Sequence, residues 1–310
     1  MFSKFLEELK QKEIKVTFSE GKIKYSGPVE NITPEFIKKL KIFKGDLIRH
    51  CWPDECNDMI SINPGGTKTP IILIYCNNII YTLSNYLGPE QPVYGFFDKG
   101  WLTGEKNMYN SVESIARDYI IQLKKIMPHG PYLIGGHSLG GNLAYEIAIQ
   151  LRNAGNDVPL LFFLDSKTDK ADKPFDWSTE LFHIYRRMLR PVIKKLWQYA
   201  KMPVFNGLYL MVSSLPVSIR HSYIVTNYLL LLYKYKPGKY NGDILLFRAQ
   251  KDSTAHKFDF GWGDFVNKVT FVNLECTHAT IVKGKENIEA IGKGIEEYLL
   301  NCKALERMIS

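Results

Sequence analysis

Residues 135–141 read Gly-Gly-His-Ser-Leu-Gly-Gly, and this stretch decides how the rest of the chain is interpreted. A short apolar run, residues 131–134, precedes it, and apolar residues at helical spacing follow as far as Gly155. A strand, the spacing Gly-x-Ser-x-Gly and a helix together predict a sharp turn that lifts the Ser138 hydroxyl out of a sheet. The start of the helix would then offer backbone amides to a developing oxyanion.

Strand and helix signals alternate along most of the chain. Strands are predicted at 70–75, 91–96, 131–134, 158–164, 243–248 and 268–274, and helices from about 111 and over 286–302. This alternation predicts the α/β class, with a mostly parallel sheet covered on both faces. Residues 166–235 carry helical patterns only. An insertion of that length predicts a helical lid over the active site.

The first 50 residues form a separate unit by pattern. Their order is predicted as α-β-β-α, with elements at 3–12, 14–18, 22–25 and 34–50, the last one capped by Thr33. Residues 51–69 are polar and rich in turn-forming residues, and they are interpreted as a linker. The domain boundaries predicted are therefore 1–50, 51–69 and 70–310, with the lid at 166–235.

Composition excludes several classes of function. The net charge is +8, but no aromatic-interleaved basic stripe indicates nucleic-acid binding. The longest apolar stretch, residues 228–233, is too short to cross a membrane, and the charged N-terminus does not resemble a signal peptide. The five cysteines are scattered without metal-ligand spacing. We therefore expect a cytoplasmic protein with no metal and no membrane or nucleic-acid partner.

A serine nucleophile needs a base and an acid, and in this fold they follow it in the order acid, then histidine. His278 comes directly after the last predicted strand, which is the position for the base, whereas His256 lies in a polar loop. Two acids compete, because Asp165 and Asp252 each follow a predicted strand. Both would point from carboxyl ends of strands into one crevice, so spacing leaves the choice open.

From residue 61 onward the chain resembles the thioesterase domains of nonribosomal peptide and polyketide synthetases, a branch of the α/β-hydrolases. The resemblance is carried by residues 87–94, 130–141, 233–240 and 244–249 and by the dipeptide Gly261-Trp262. The family's Leu-Leu-Asp-Ser pattern matches residues 163–166. The resemblance thus implies a thioesterase with Ser138, Asp165 and His278 as its triad, and Asp252 remains the alternative acid.

The chain departs from this family at residues 74–79, Ile-Tyr-Cys-Asn-Asn-Ile, where the family carries glycines. The resemblance implies that the Leu139 amide is one oxyanion donor. By position, the second donor is the amide of Asn77, with Cys76 as the alternative. Because loss of one such donor costs about 10²–10³ in rate, the departure predicts a slow or specialised enzyme.

Residues 1–50 resemble the TubC-type docking domains found at the N-termini of synthetase subunits. The matching pattern is Leu6-x-x-Leu9, a charged hairpin, and Thr33-Pro34-Glu35 followed by Leu40. The resemblance implies that an acidic C-terminal peptide of an upstream synthetase subunit pairs with the hairpin by strand addition. Lys15, Lys22 and Lys24 would be its charge partners.

Together these features predict an enzyme that releases an acyl, peptidyl or polyketide chain by hydrolysis or cyclisation, through an acyl-enzyme on Ser138. No bound cofactor is expected, because the substrate is carried on the phosphopantetheine arm of a separate carrier protein. That carrier would be recruited in trans through the docking domain. The alternatives are an editing (type II) thioesterase, a general esterase, and a non-catalytic adaptor with a degenerate oxyanion loop.

Overall fold

The structure, a computed structural model, describes residues 2–19, 22–43, 59–75, 79–97, 109–168, 217–251 and 258–309. The chain separates into two compact units. The N-terminal unit includes residues 2–43 together with residues 217–224, and the hydrolase unit includes the remaining described residues.

The N-terminal unit has the predicted α-β-β-α order. Its elements are α1 (Phe2–Gln11), β1 (Lys15–Ser19), β2 (Lys22–Ser26), a 3₁₀ turn (Val29–Asn31) and α2 (Pro34–Ile42). Thr33 caps α2 by accepting a hydrogen bond from the Phe36 amide at 3.2 Å. The prediction that this helix reaches residue 50 was wrong, because α2 ends at Ile42 with Phe43 as its C-cap. In the sequence Gly45 follows two residues later, and glycine is common just after helix ends. Residues 44–50 lie outside the described ones.

One apolar cluster holds this unit together. Its buried side chains come from both helices and from the start of the hairpin: Phe5, Leu9, Ile14, Phe36 and Leu40. At the edge of the cluster, Glu8 of α1 accepts hydrogen bonds from Lys12 at 2.7 Å and from Lys39 of α2 at 2.9 Å. These two bonds lower the pKa of Glu8, against a smaller effect of burial. The two helices are therefore joined by packing and by an ion pair.

The hairpin of this unit has two different faces. Its register pairs Lys15 with Ser26, Thr17 with Lys24 and Ser19 with Lys22. Because directly opposed residues share a face, the three lysine positions lie on one face, and Val16 on the other face packs against the apolar cluster. Lys15 is exposed, whereas the side chains of Lys22 and Lys24 lie outside the described part of the structure.

The hydrolase unit is built on one sheet, which has seven strands among the described residues. They are β3 (Met59–Ile62), β4 (Ile71–Ile74), β5 (Val93–Phe96), β6 (Leu133–His137), β7 (Leu160–Leu164), β8 (Tyr240–Ala249) and β9 (Val266–Leu274). Their spatial order is β3-β5-β4-β6-β7-β8-β9, and only β3 runs antiparallel to its neighbour. The predicted α/β fold with a mostly parallel sheet is therefore confirmed.

Helices cover both faces of this sheet. They are α3 (Ile79–Leu87), α4 (Val112–Ile126), α5 (Leu139–Asn153), α6 (Val217–Lys234), of which residues 225–234 belong to this unit, and α7 (Lys285–Ile309). Tyr145 of α5 packs edge-on near Phe163 of β7, whereas Gly294 of α7 lies against Phe247 of β8 on the opposite face of the sheet. All five residues of β7 are buried, as expected for a strand covered on both sides.

The structure differs from the prediction at the start of the hydrolase unit. Strand β3 lies within residues 51–69, the segment interpreted as a linker. The sequence did not indicate this strand because four residues are too few to show a period, and a turn with Pro64 follows directly. Helix α3 was not predicted. In the predicted lid, α6 is described, and residues 169–216 lie outside the described ones. None of the described helices combines the length and apolarity needed to cross a membrane.

Candidate active site

Ser138 occupies the turn between β6 and α5. Its backbone has φ 54° and ψ −119°, a strained conformation for a residue with a side chain. The turn is crowded: a Cβ on Gly136 would lie 2.3 Å from the carbonyl carbon of Gly140, and a Cβ on Gly140 would lie 2.2 Å from the Ile74 oxygen. Glycine is therefore required at both positions for the strand and the helix to approach this closely.

His278 lies between Ser138 and Asp165. Its Nε2 is 3.0 Å from Ser138 Oγ, and its Nδ1 is 2.6 Å from Asp165 Oδ2. His278 follows β9 and Asp165 follows β7, so residues far apart in sequence meet at the carboxyl ends of the parallel strands. The structure thus brings together the three side chains that the sequence predicted as nucleophile, acid and base.

Asp165 is held in place from several sides. It is 3% exposed, its Oδ1 accepts a hydrogen bond from the Ala249 amide at 2.9 Å, and its own amide donates to the Phe247 oxygen at 2.8 Å. Burial opposes ionisation of this carboxyl group, but the hydrogen bonds from His278 and Ala249 outweigh it and keep the pKa below the ordinary value. The alternative acid, Asp252, and the other candidate base, His256, lie outside the described residues.

Trp262 supports the loop that carries the acid. Its indole Nε1 donates to the Ser166 oxygen at 2.9 Å, and its fully buried ring packs 4.5 Å from Phe163 and 4.7 Å from Tyr145, measured between ring centroids. The sequence indicates the dipeptide Gly261-Trp262 only through the family resemblance. In the structure it buttresses the residue that follows Asp165.

Sequence reasoning missed His137, which precedes the serine. Its Nε2 lies 3.1 Å from the backbone oxygen of His278, and the centroids of the two imidazole rings are 4.8 Å apart. Burial, together with the charge of His278, lowers the pKa of His137 from 6.5 to about 4. A histidine that touches both the backbone and the ring of the candidate base belongs to the site. No local pattern signals such a contact, because the two residues are 141 positions apart.

The described part of the predicted oxyanion site is the start of α5. Leu139 is its first residue, so the Leu139 amide is among the N–H groups that have no acceptor within the helix. Strand β4 ends at Ile74, next to the start of α5, and the following residue, Tyr75, has φ 54°. Cys76 and Asn77 lie outside the described residues, so the second donor stays a prediction. Within the described ranges, no group of three or more His, Cys, Asp or Glu side chains could hold a metal ion.

Aromatic residues border the turn where β4 ends. The ring of Tyr75 lies 6.0 Å from that of Tyr228 on α6, which in turn lies 6.4 Å from Tyr109. Tyr228 is buried, and α6 is fastened near its end by the Tyr235 hydroxyl, which donates to the Glu146 carboxylate at 2.5 Å. The described end of the predicted lid is thus attached to α5, the helix that begins next to Ser138.

A mostly parallel sheet, a serine on a strand-to-helix turn and a hydrogen-bonded histidine and aspartate define the α/β-hydrolase class. Comparison with known families is more specific. Residues 82–298 match the family described as thioesterase domain, and residues 3–51 match the TubC N-terminal docking domain. The chain therefore belongs to the thioesterase domain family and carries a TubC-type docking domain at its N-terminal end.

Its relatives are much longer proteins. The chain is 31% identical over 261 residues to malpibaldin synthetase of Mortierella alpina and 24% identical over 255 residues to a dimodular nonribosomal peptide synthase of Bacillus subtilis. These alignments cover 79% and 76% of this chain, but only 4% and 10% of the two relatives. The similarity thus concerns one region of each synthetase.

Solved structures show the same fold. The NocB thioesterase domain from the nocardicin cluster aligns with a TM-score of 0.58 and 18% identity, over 78% of this chain and 98% of that domain. The thioesterase domain SrfTE, whose structure concerns cyclisation of the lipopeptide antibiotic surfactin, aligns with a TM-score of 0.54 and 18% identity, over 79% and 97%. At these identities the likeness establishes the α/β-hydrolase fold.

Proposed function

We propose that this protein releases an acyl or peptidyl chain from the phosphopantetheine thioester of a carrier protein, through an acyl-enzyme on Ser138. The observation that carries the proposal is the continuous hydrogen-bond chain from Ser138 Oγ through His278 to Asp165, with distances of 3.0 and 2.6 Å. Membership of the thioesterase family and similarity to synthetases support the choice of a thioester over other acyl substrates.

Acylation follows from the positions of the three side chains. Ser138 Oγ attacks the thioester carbonyl carbon while His278 Nε2 takes the hydroxyl proton. Asp165 accepts the hydrogen bond from Nδ1–H and stabilises the imidazolium that forms. The carbonyl oxygen gains negative charge and is bound by the Leu139 amide and by the amide of Asn77 or Cys76. The C–S bond then breaks, and His278 returns the proton to the departing sulfur.

Deacylation repeats the cycle with a different nucleophile. Water, or a hydroxyl or amine of the bound chain itself, gives a proton to His278 and attacks the ester carbonyl. Collapse of the second tetrahedral intermediate breaks the bond to Ser138 Oγ, and His278 restores the serine proton. Water yields a free acid and an internal nucleophile yields a ring, so the same triad serves both outcomes.

Recruitment of the substrate involves the N-terminal unit. We propose that an acidic C-terminal peptide of an upstream synthetase subunit adds as a strand to the hairpin β1–β2. The lysine positions 15, 22 and 24 share one hairpin face and would supply the complementary charge. The carrier protein then delivers its phosphopantetheine-bound chain in trans, and the protein itself needs no bound cofactor.

One experiment tests this function by offering the same acyl group as two different thioesters. An acyl group is offered either on a carrier protein that ends in an acidic docking peptide or on N-acetylcysteamine, and release is followed with the wild type and with Ser138→Ala. We expect the wild type to turn over both thioesters, the carrier-bound one at much lower concentration, and the variant to turn over neither. Equal turnover by the variant would exclude the proposed acyl-enzyme. A preference for acetyl over long chains would favour editing.

A further inference from the structure

His137 and Ser138 are consecutive residues, yet both contact His278. Ser138 Oγ meets the imidazole at Nε2, 3.0 Å away, whereas His137 Nε2 meets the backbone oxygen of His278 at 3.1 Å. The imidazole rings of His137 and His278 also lie 4.8 Å apart, tilted by 31°. His137, the last residue of β6, therefore contacts the ring and the backbone of His278, and Ser138, the next residue, contacts its Nε2.

The contact determines which nitrogen of His137 carries the proton. A backbone oxygen can only accept, so His137 Nε2 must be the donor. Burial and the neighbouring charge of His278 keep the pKa of His137 at about 4, so the ring is neutral at physiological pH. A neutral ring is what this position requires, because a second cation 4.8 Å away would oppose the imidazolium that forms on His278 during acylation.

We propose that His137 is a positioning residue for the base: its Nε2–H holds the His278 backbone so that the imidazole faces both Ser138 and Asp165. This inference rests on the proposed function, in which His278 is the base. Other hydrogen bonds fix the residues on either side of His278: Lys251 donates to the Cys276 oxygen at 3.0 Å, and the Ile281 amide donates to the Thr277 oxygen at 3.0 Å. The bond from His137, in contrast, is made to the backbone of His278 itself.

Two substitutions separate the hydrogen bond from the space that the ring fills. His137→Phe keeps a ring and removes the donor, while His137→Gln retains an N–H donor at a similar reach. With an acyl-N-acetylcysteamine thioester, we expect kcat/KM of His137→Phe to fall about tenfold, mostly through kcat, because one hydrogen bond and the satisfaction of a carbonyl are lost. We expect His137→Gln to stay within about threefold of the wild type, since the donor is kept.

Two outcomes would overturn the inference. Wild-type kcat/KM in folded His137→Phe, or a folded His137→Gln as impaired as His137→Phe, would show that the donor does not position the base. Thermal unfolding of each variant checks folding. If His137→Phe does not fold, kcat/KM of His137→Gln and the tautomer of His137 in the wild type test the inference.

The tautomer of His137 provides a readout that needs no turnover. In protein labelled with ¹⁵N histidine, NMR at neutral pH should show His137 as the neutral Nε2–H form, with the resonance assigned by its loss in His137→Gln. A neutral Nδ1–H form would overturn the inference. If the wild type turns over no thioester but His137 is the Nε2–H form, the proposed function fails while the hydrogen bond stands. If the wild type is active and His137→Phe matches it, only the inference fails.

Discussion

The two units of this chain differ in how much of their structure is buried: the N-terminal unit has one small apolar cluster, and the hydrolase unit has a sheet with helices on both faces. Among its described residues, the N-terminal unit has one cluster of five buried apolar side chains, and the register of its hairpin places three lysine positions on one face. The hydrolase unit has helices on both faces of a sheet, and Ser138, Asp165 and His278 follow the carboxyl ends of β6, β7 and β9. If the proposed function holds, the N-terminal unit serves recruitment and the hydrolase unit serves chemistry, so we expect substitutions to affect the two separately.

Removing the nucleophile should have the largest effect. We expect Ser138→Ala to lower kcat by about 10⁴-fold or more, for the carrier-bound and the small thioester alike, because both pass through the same acyl-enzyme. Binding of an acidic docking peptide to the variant, measured by calorimetry, should be unchanged. A variant that also lost peptide binding would break the separation between the two units.

Removing the acid should come next. Asp165→Asn is expected to lower kcat by about 10³–10⁴-fold, because an amide cannot stabilise the imidazolium or orient the correct tautomer of His278. Asp252→Asn is the matched control, since Asp252 was the competing acid in the sequence, and it should remain within about threefold of the wild type. Steady-state kinetics with one small thioester decide between them. A larger loss in the Asp252 variant would reassign the acid.

Reversing charge on the hairpin should affect recruitment alone. We expect Lys15→Glu/Lys24→Glu to raise KM for a carrier protein with an acidic C-terminal peptide by about tenfold, because the variant repels the peptide. Hydrolysis of the N-acetylcysteamine thioester should not change. Lys10 and Lys38 are exposed lysines on the helices of the same unit, so Lys10→Glu/Lys38→Glu controls for net charge. Equal effects of the two double variants would argue against a docking role of the hairpin face.

The smallest effect concerns stability at acidic pH. His137 has a pKa of about 4 in the folded protein against 6.5 ordinarily, so the unfolded chain takes up a proton first and stability falls as pH drops from about 6.5 towards 4. Asp165, with a lowered folded-state pKa, loses its stabilising contribution only as pH falls below the ordinary range of a carboxyl group. Urea unfolding should therefore show a weaker pH dependence for His137→Gln between pH 6.5 and 4.5. Parallel curves for variant and wild type would contradict the assignment.

Local sequence signals were enough to select Ser138 and His278, which the structure places 3.0 Å apart. Ser138 sits on a motif with a strand before it and a helix after it, and His278 follows the last strand of the sheet. Two acids were compatible with the strand order, and the choice of Asp165 over Asp252 came from resemblance. The structure then placed Asp165 Oδ2 2.6 Å from His278 Nδ1.

What the sequence did not predict depends on tertiary contacts or on very short elements. His137 was missed because its partner is a backbone oxygen 141 residues away, a contact with no local pattern. Strand β3 was assigned to a linker because four residues followed by a turn do not show a period, and its pairing with β5 is a long-range contact. The second oxyanion donor, Asn77 or Cys76, stays a prediction.

If Ser138 carries the released chain as an ester, intact-mass spectrometry should detect that ester on the protein. The wild type, Ser138→Ala and His278→Ala are each incubated briefly with an acyl-N-acetylcysteamine thioester and quenched in acid. We expect a mass increase of one acyl group in the wild type, mapped to Ser138 by peptide sequencing, and no increase in either folded variant. An adduct that persists in Ser138→Ala, or a folded wild type with neither adduct nor turnover, would contradict it.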